Sequence, residues 1–166
     1  MRSKKPILIL IVIVAVILLG VLYVKFGMKL GSKHFKSYED FRSYAYTRTD
    51  VGMPEGAEDA QFYFTNSLSE YCSIYAFTLK GNDYKKFMNT RSAYKNNEYY
   101  GMSVSEALAS ESEISKNIPF NEVIGDSISN YEFIEYSPMG AGKHGSGMAV
   151  NPNTGRVVVF TQGRSF

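Results

Sequence analysis

The pattern of apolar and polar positions changes character along the chain. From Pro6 to Val24, PILILIVIVAVILLGVLYV, there is no alternation at all, and nineteen residues pass without a charge. At about 1.5 Å per residue a helix over this run reaches about 28 Å, close to the hydrocarbon thickness of a bilayer. Its β-branched residues are poor helix formers in water, but in lipid the backbone must satisfy itself and the helix forms regardless. The run predicts a transmembrane helix over residues 6–26, behind a basic tail at 1–5, with Tyr23 at the interface and Lys25 snorkelling. A cleaved signal peptide would have a shorter apolar core and a small-x-small site, and Tyr23-Val24-Lys25-Phe26 supplies neither. No cysteine lies near the end of the run, which excludes a lipoprotein anchor.

Residues 27–52 read as a basic connector. Within it Phe35, Tyr38, Phe41, Tyr44 and Ala45 fall at helical spacing, and Pro54 and Gly56 follow. A soluble domain is expected over 53–166. Asp59–Leu68 and Tyr71–Lys80 form a predicted hairpin. The second strand puts Tyr71, Ser73, Tyr75, Phe77 and Leu79 on one face and Cys72, Ile74, Ala76 and Thr78 on the other. Gly81-Asn82-Asp83 opens a helix, with Asn82 or Asp83 as its cap and Tyr84, Phe87, Met88 and Arg91 as its buried stripe. Ser103-Val104-Ser105-Glu106 fits a capping box ahead of Ala107, Leu108, Glu111 and Ile114. Tyr131–Ser137, Ser146–Val150 and Arg156–Gln162 are further strands, the last two joined by the turn Asn151-Pro152-Asn153-Thr154-Gly155. Runs of strands broken by helices predict an α+β fold, a mostly antiparallel sheet with helices on one face.

Charge alters the picture. The net +2 conceals a division. All seven basic residues of the first 36 stand without an acid, whereas the rest holds eleven basic against sixteen acidic residues, a net −5. The basic character therefore belongs to the N-terminal segment and gives no reason to expect a nucleic-acid partner. Arg2, Lys4 and Lys5 before the apolar run are nearly matched by Lys25, Lys29, Lys33 and Lys36 after it. A short dense basic tail ahead of the run is the layout of a signal anchor, which predicts a cytoplasmic N-terminus and an exported domain. The 13 Tyr and 11 Phe suit pleated, half-buried surfaces. Most are expected in the core, and any that line an open face would suit peptide or glycan chains. The single cysteine, Cys72, allows no intrachain disulfide and no cysteine-based metal site, and reads as a small buried apolar residue.

Candidate chemistry is sparse. Ser137–Gly147, SPMGAGKHGSG, holds four glycines, a lysine and a histidine. A P-loop needs a glycine where Ser137 stands and a hydroxyl where His144 stands. Gly140, Gly142 and Gly145 match a dinucleotide-binding spacing, but both motifs require a following helix and the pattern here gives a strand. The segment is read as a strand-to-strand loop through Gly147, with Lys143 and His144 as the residues placed for a ligand or partner contact. His34 and His144 have no metal-ligand spacing, no nucleophile elbow occurs, and Glu132 and Glu135 read as solvated charges on opposite strand faces. No catalytic residue, cofactor or metal is expected.

Residues 53–88 resemble a segment of small bacterial membrane-anchored and lipoprotein-like envelope proteins of unknown function. The matching positions are Pro54, Ala57, Phe77, Thr78, Asp83 and Phe87. The resemblance implies an envelope protein and transfers no active site. The expected function is binding or assembly at the cell envelope, with the bilayer and an envelope protein or glycan as partners. An envelope enzyme with a site near 137–147, and a cytoplasm-facing subunit of a membrane complex, are the alternatives.

Overall fold

The computed structural model describes residues 5–23, 30–45, 52–110, 117–139 and 144–164. The chain divides into two compact units, residues 1–31 and 32–166. The first holds helix α1, Lys5–Leu22. Its large apolar side chains from Ile9 to Leu22 are all exposed, from 47 % at Val14 to 65 % at Leu19. The sixteen residues from Ile7 to Leu22 reach about 24 Å, short of a hydrocarbon core of about 30 Å. Among the described residues no helix is long and apolar enough to cross a membrane. The described helix thus does not meet the expectation of a transmembrane helix over 6–26, and the expected span from Val24 to Phe26 lies outside the described residues.

The second unit is α+β. Six strands lie in the order β1-β2-β3-β6-β5-β4: β1 Gly31–Phe35, β2 Glu58–Asn66, β3 Glu70–Thr78, β4 Glu132–Ser137, β5 His144–Asn151 and β6 Arg156–Arg164. The pairs β2–β3, β3–β6, β6–β5 and β5–β4 are antiparallel. Both sequence-predicted hairpins form. The first turns over Ser67-Leu68-Ser69, where Ser67 Oγ accepts from Glu70 N at 3.0 Å and Ser67 N donates to Glu70 O at 2.7 Å. The second turns at Gly155, whose φ of +73° few residues other than glycine adopt readily.

Helices were expected on one face, and both faces are covered. On one side Tyr63, Ile74, Ala76, Ala149, Val158 and Phe160 pack under helix α4, Val104–Ser110, and the turn at Phe120–Glu122. On the other, Phe62, Phe64, Tyr75, Phe77, Met148 and Val159 pack under helices α2, Tyr38–Tyr44, and α3, Gly81–Thr90. Helix α2 is the one read from the spacing of aromatics. Ser37 caps it, accepting from Asp40 N at 3.2 Å, and Phe41 is fully buried between Phe62 and Tyr75, at ring distances of 5.7 and 5.6 Å. The folded unit therefore takes in part of what was read as a connector. The cap of α3 is Lys80 rather than Asn82 or Asp83 and makes no side-chain cap bond. Instead Lys80 Nζ donates to Glu58 Oε2 at 2.6 Å. Helix α4 ends at Ser110, and Glu111 and Ile114 lie outside the described residues.

The two sheet edges differ. The β4 edge is covered: Gly101 N donates to Phe133 O at 2.8 Å, Phe133 N to Met102 O at 2.9 Å, and Val104 N to Tyr131 O at 2.9 Å. The β1 edge, GSKHF, is exposed over its first four residues, and a lysine on an exposed edge hinders pairing with another chain.

Candidate functional site

The end of the sheet that carries the β2–β3 turn and the start of β5 gathers most of the polar side chains that the core admits. The register sets out two rows. On one face Thr65, Cys72, Gln162 and Gly145 lie side by side; on the other lie Asn66, Tyr71, Gly163 and His144. Beside them is a half-enclosed cavity of about 190 Å³, lined by Thr65, Ser67, Glu70, Tyr71, Cys72, Asn117, Gln162 and Gly163.

Gln162 is 3 % exposed. Its Nε2 is buried and has no hydrogen-bond partner. It faces the bare side of Gly145, where a Cβ would lie 3.1 Å from it. Cys72 is buried, as its place in an alternating strand predicts. Burial pushes its thiol well above the ordinary range, so it stays protonated and is a poor nucleophile. On the opposite face Tyr71 Oη and His144 Nδ1 share a hydrogen bond of 3.0 Å. They meet over Gly163, where a Cβ would fall 2.6 Å from the imidazole nitrogen and 2.6 Å from the tyrosine ring.

The segment SPMGAGKHGSG is thereby re-read. His144 to Gly147 belong to β5 and not to a loop, and they follow β4, the antiparallel neighbour. A strand and not a helix follows the glycines, so the geometry that holds a nucleotide phosphate at a helix N-terminus is missing. Two of the glycines answer to packing. A Cβ on Gly147 would lie 2.6 Å from the Phe160 ring, and one on Gly145 would crowd Met139 N and Ser137 O at 3.1 Å. Of the two residues placed for contact, His144 is half-buried against Tyr71, and Lys143 lies outside the described residues. Gln162 ends the sequence-predicted strand Arg156–Gln162 and is not among the residues placed there for contact. The signal was present: it occupies the parity of Val158 and Phe160, the core-facing positions of β6, where an amide needs a reason.

A second anomaly lies on β4. The register shifts between Phe133 and Glu135, so Phe133 and Tyr136 share one face and stack at 4.5 Å, and Glu135 turns to the other face opposite Met148. Glu135 is half-buried and not a solvated charge, and its Oε2 has no hydrogen-bond partner. Burial raises its carboxyl above the ordinary value, and the nearby Arg91 only partly offsets this. A raised carboxyl pKa means that the fold favours the neutral acid. The associated stability is present below the unfolded-state pKa and is lost as pH rises through the folded one. Glu135→Gln is expected to stabilise the protein at pH 7 and to lose that advantage in acid below the ordinary carboxylate range. Urea unfolding at both pH values checks this, and an equal effect at both would rule it out.

A third polar group is structural. Arg156 donates to Val123 O through Nε and Nη2, and to Asp59 O and Thr78 Oγ1 through Nη1 at 3.0 and 3.2 Å. Nearby Asp126 accepts from Tyr131 Oη at 2.8 Å and Asn151 Nδ2 at 2.7 Å. These bonds tie the turn after Phe120–Glu122 to β2 and β3, and engage Arg156 and Asp126, two of the residues that line a cavity of about 310 Å³. Among the described residues no group of three His, Cys, Asp or Glu side chains is placed to hold a metal ion. No protein-family model, curated protein or solved structure matches the chain.

Proposed function

We propose that this is a single-pass membrane protein whose N-terminal helix tethers an extracytoplasmic binding domain at the bacterial cell envelope. The observation that carries the reading is α1, Lys5–Leu22, whose large apolar side chains from Ile9 to Leu22 are all exposed. Exposed apolar surface of that extent is unfavourable in water and calls for a covering of lipid or protein. The uncharged run of sequence continues past α1 to Val24, which adds length toward a span. A tether of this kind raises the local concentration of the domain at the membrane and adds no contact of its own.

Binding is favoured over catalysis. The described cysteine is held protonated by burial, and the half-buried carboxyl of Glu135 lies on the sheet face opposite Cys72 and Gln162, the one His144 occupies. The domain offers instead a rigid sheet, packed on both faces, with a polar cavity at one end.

Topology is tested with a thiol reporter. Cys72 is too buried to serve, so it is replaced by serine and a cysteine is placed at the exposed Lys85. An impermeant maleimide should label Cys72→Ser/Lys85→Cys in intact cells. Labelling only after lysis would overturn the exported orientation.

A further inference from the structure

We propose that the end of the sheet at which the chain enters the domain, carrying Lys33, Leu68 and Arg164, rests on the headgroups of an anionic bilayer. The proposal deepens the tether reading and rests on it, but not on the side of the membrane on which the domain lies.

Three observations converge. First, the strand register brings the entry point of the chain to one particular end. Ser32 Oγ donates to Thr65 Oγ1 at 3.0 Å, and the His34 ring lies 4.7 Å from that of Tyr63. The two contacts run in opposite directions along the strands, so β1 is antiparallel to β2 and its first residues lie beside the β2–β3 turn. Glu70 at the start of β3 faces Arg164 at the end of β6, and His144 at the start of β5 faces Gly163. Secondly, the reach of the chain favours this end. Eight residues, 23–30, separate α1 from β1, and fully extended they span at most about 30 Å. The nine-residue strands β2, β3 and β6 are themselves about 30 Å long. The opposite end therefore meets the bilayer only with the connector drawn out along the whole sheet. Thirdly, the surface chemistry is graded. Beyond residue 31, Leu68 at 65 % and Met102 at 37 % are the described large apolar side chains left exposed. A single exposed leucine is ordinary. This one stands at the tip of a turn that Ser67 Oγ braces, accepting from Ser69 N at 3.3 Å and Glu70 N at 3.0 Å. Lys33 and Arg164 are exposed, and in the strand order they flank that turn. The connector adds Lys25 and Lys29 and no acid. At the opposite end Glu58 and Asp59 open β2, Glu132 opens β4, and Asp126 is bonded to Asn151 at the end of β5. Lys80 and Arg156 there are bonded to Glu58 and to the Asp59 carbonyl. An anionic surface attracts the first end and repels the second, so the net negative charge of the domain sets it upright instead of driving it off.

The test uses the full chain reconstituted into vesicles, either of phosphatidylcholine or of equal parts phosphatidylcholine and phosphatidylglycerol, with a headgroup-quencher lipid in both. A fluorophore is attached in Leu68→Cys/Cys72→Ser, and in Asn153→Cys/Cys72→Ser as the exposed site at the opposite end. In the anionic vesicles the probe at 68 should be quenched at least twice as strongly as the probe at 153. About 1 M salt, which cuts the screening length to about 3 Å, should remove at least half of that excess. Lys33→Gln/Arg164→Gln should do the same, and the salt titration needs no further variant. Equal quenching at the two sites overturns the proposal. So does quenching at 68 that ignores both phosphatidylglycerol and salt, since the tether alone would then account for it. A probe at 68 that stays bright in vesicles while the same cysteine is shielded from maleimide in intact cells would give this end to a protein partner, and overturn the proposal too. Chains that do not float with the vesicles after an alkaline carbonate wash refute the tether and the contact together. Floating chains with equal quenching refute the contact alone.

Discussion

Gly155→Ala is expected to destabilise the domain by about 3–5 kcal/mol, the strain of a left-handed backbone added to a steric clash. Gly155 has φ +73°, and a Cβ there would lie 2.1 Å from Leu79 O. That oxygen cannot move freely, because Leu79 N donates to Gly155 O at 3.0 Å and joins the two backbones, while Gly155 N is held within its own turn by a bond to Asn151 O at 2.9 Å. The turn between β5 and β6 is thus pressed against the end of β3, and the strand pairs β3–β6 and β5–β6 both depend on it. For a domain of this size each kcal/mol shifts Tm by roughly 3–5 °C, so a fall of about 10 °C or more is expected. Asn153→Ala in the same turn is the control. Its side chain is exposed, and the change should stay within about 0.5 kcal/mol. A loss below about 1 kcal/mol for Gly155→Ala would mean that β3 does not approach the turn so closely.

The elements that could be read from the sequence are those in which pattern and burial agree. In β3 the alternation of Tyr71, Tyr75 and Phe77 against Cys72, Ile74 and Ala76 was legible, and the two sets enter the two separate cores. The same strand carried the evidence against a one-sided sheet. Tyr71 to Thr78 is buried at every position, and β6 runs Val157-Val158-Val159-Phe160 without a polar break. A strand covered on both faces reads as a continuous apolar run, and helices on one face alone would leave half of that run in water. β1 was illegible for the opposite reason. GSKHF has one apolar residue and a mostly exposed edge, so nothing in its pattern distinguishes it from a basic linker. The polar cavity was hidden because its residues come from β2, β3, β6 and Asn117, and only the register brings Thr65, Cys72 and Gln162 into one row. The glycines of 137–147 read in the sequence as those of a strand-to-strand loop, whereas at least Gly145 and Gly147 lie in β5 and make room for their neighbours.

That reassignment of Gly147 can be tested quantitatively. Gly147 pairs with Phe160 across β5 and β6, and a Cβ on it would lie 2.6 Å from the ring and 3.1 Å from Glu135 O. The ring is 1 % exposed and hemmed in by Phe120, Phe133 and Tyr136, at centroid distances of 5.5, 6.2 and 6.2 Å. It has nowhere to retreat, so Gly147→Val is expected to cost about 3 kcal/mol as overpacking. Phe160→Ala empties the same space and should cost about 3–5 kcal/mol through lost burial and a residual cavity. In the double variant the valine occupies part of the volume that the ring vacates. The two costs should therefore fall short of additivity by about 1–3 kcal/mol, as expected for residues that share one space. Denaturant unfolding of the four proteins gives the coupling directly. If the costs simply add, Gly147 is not a seat for the Phe160 ring, and the glycines of this strand must be explained by something other than packing.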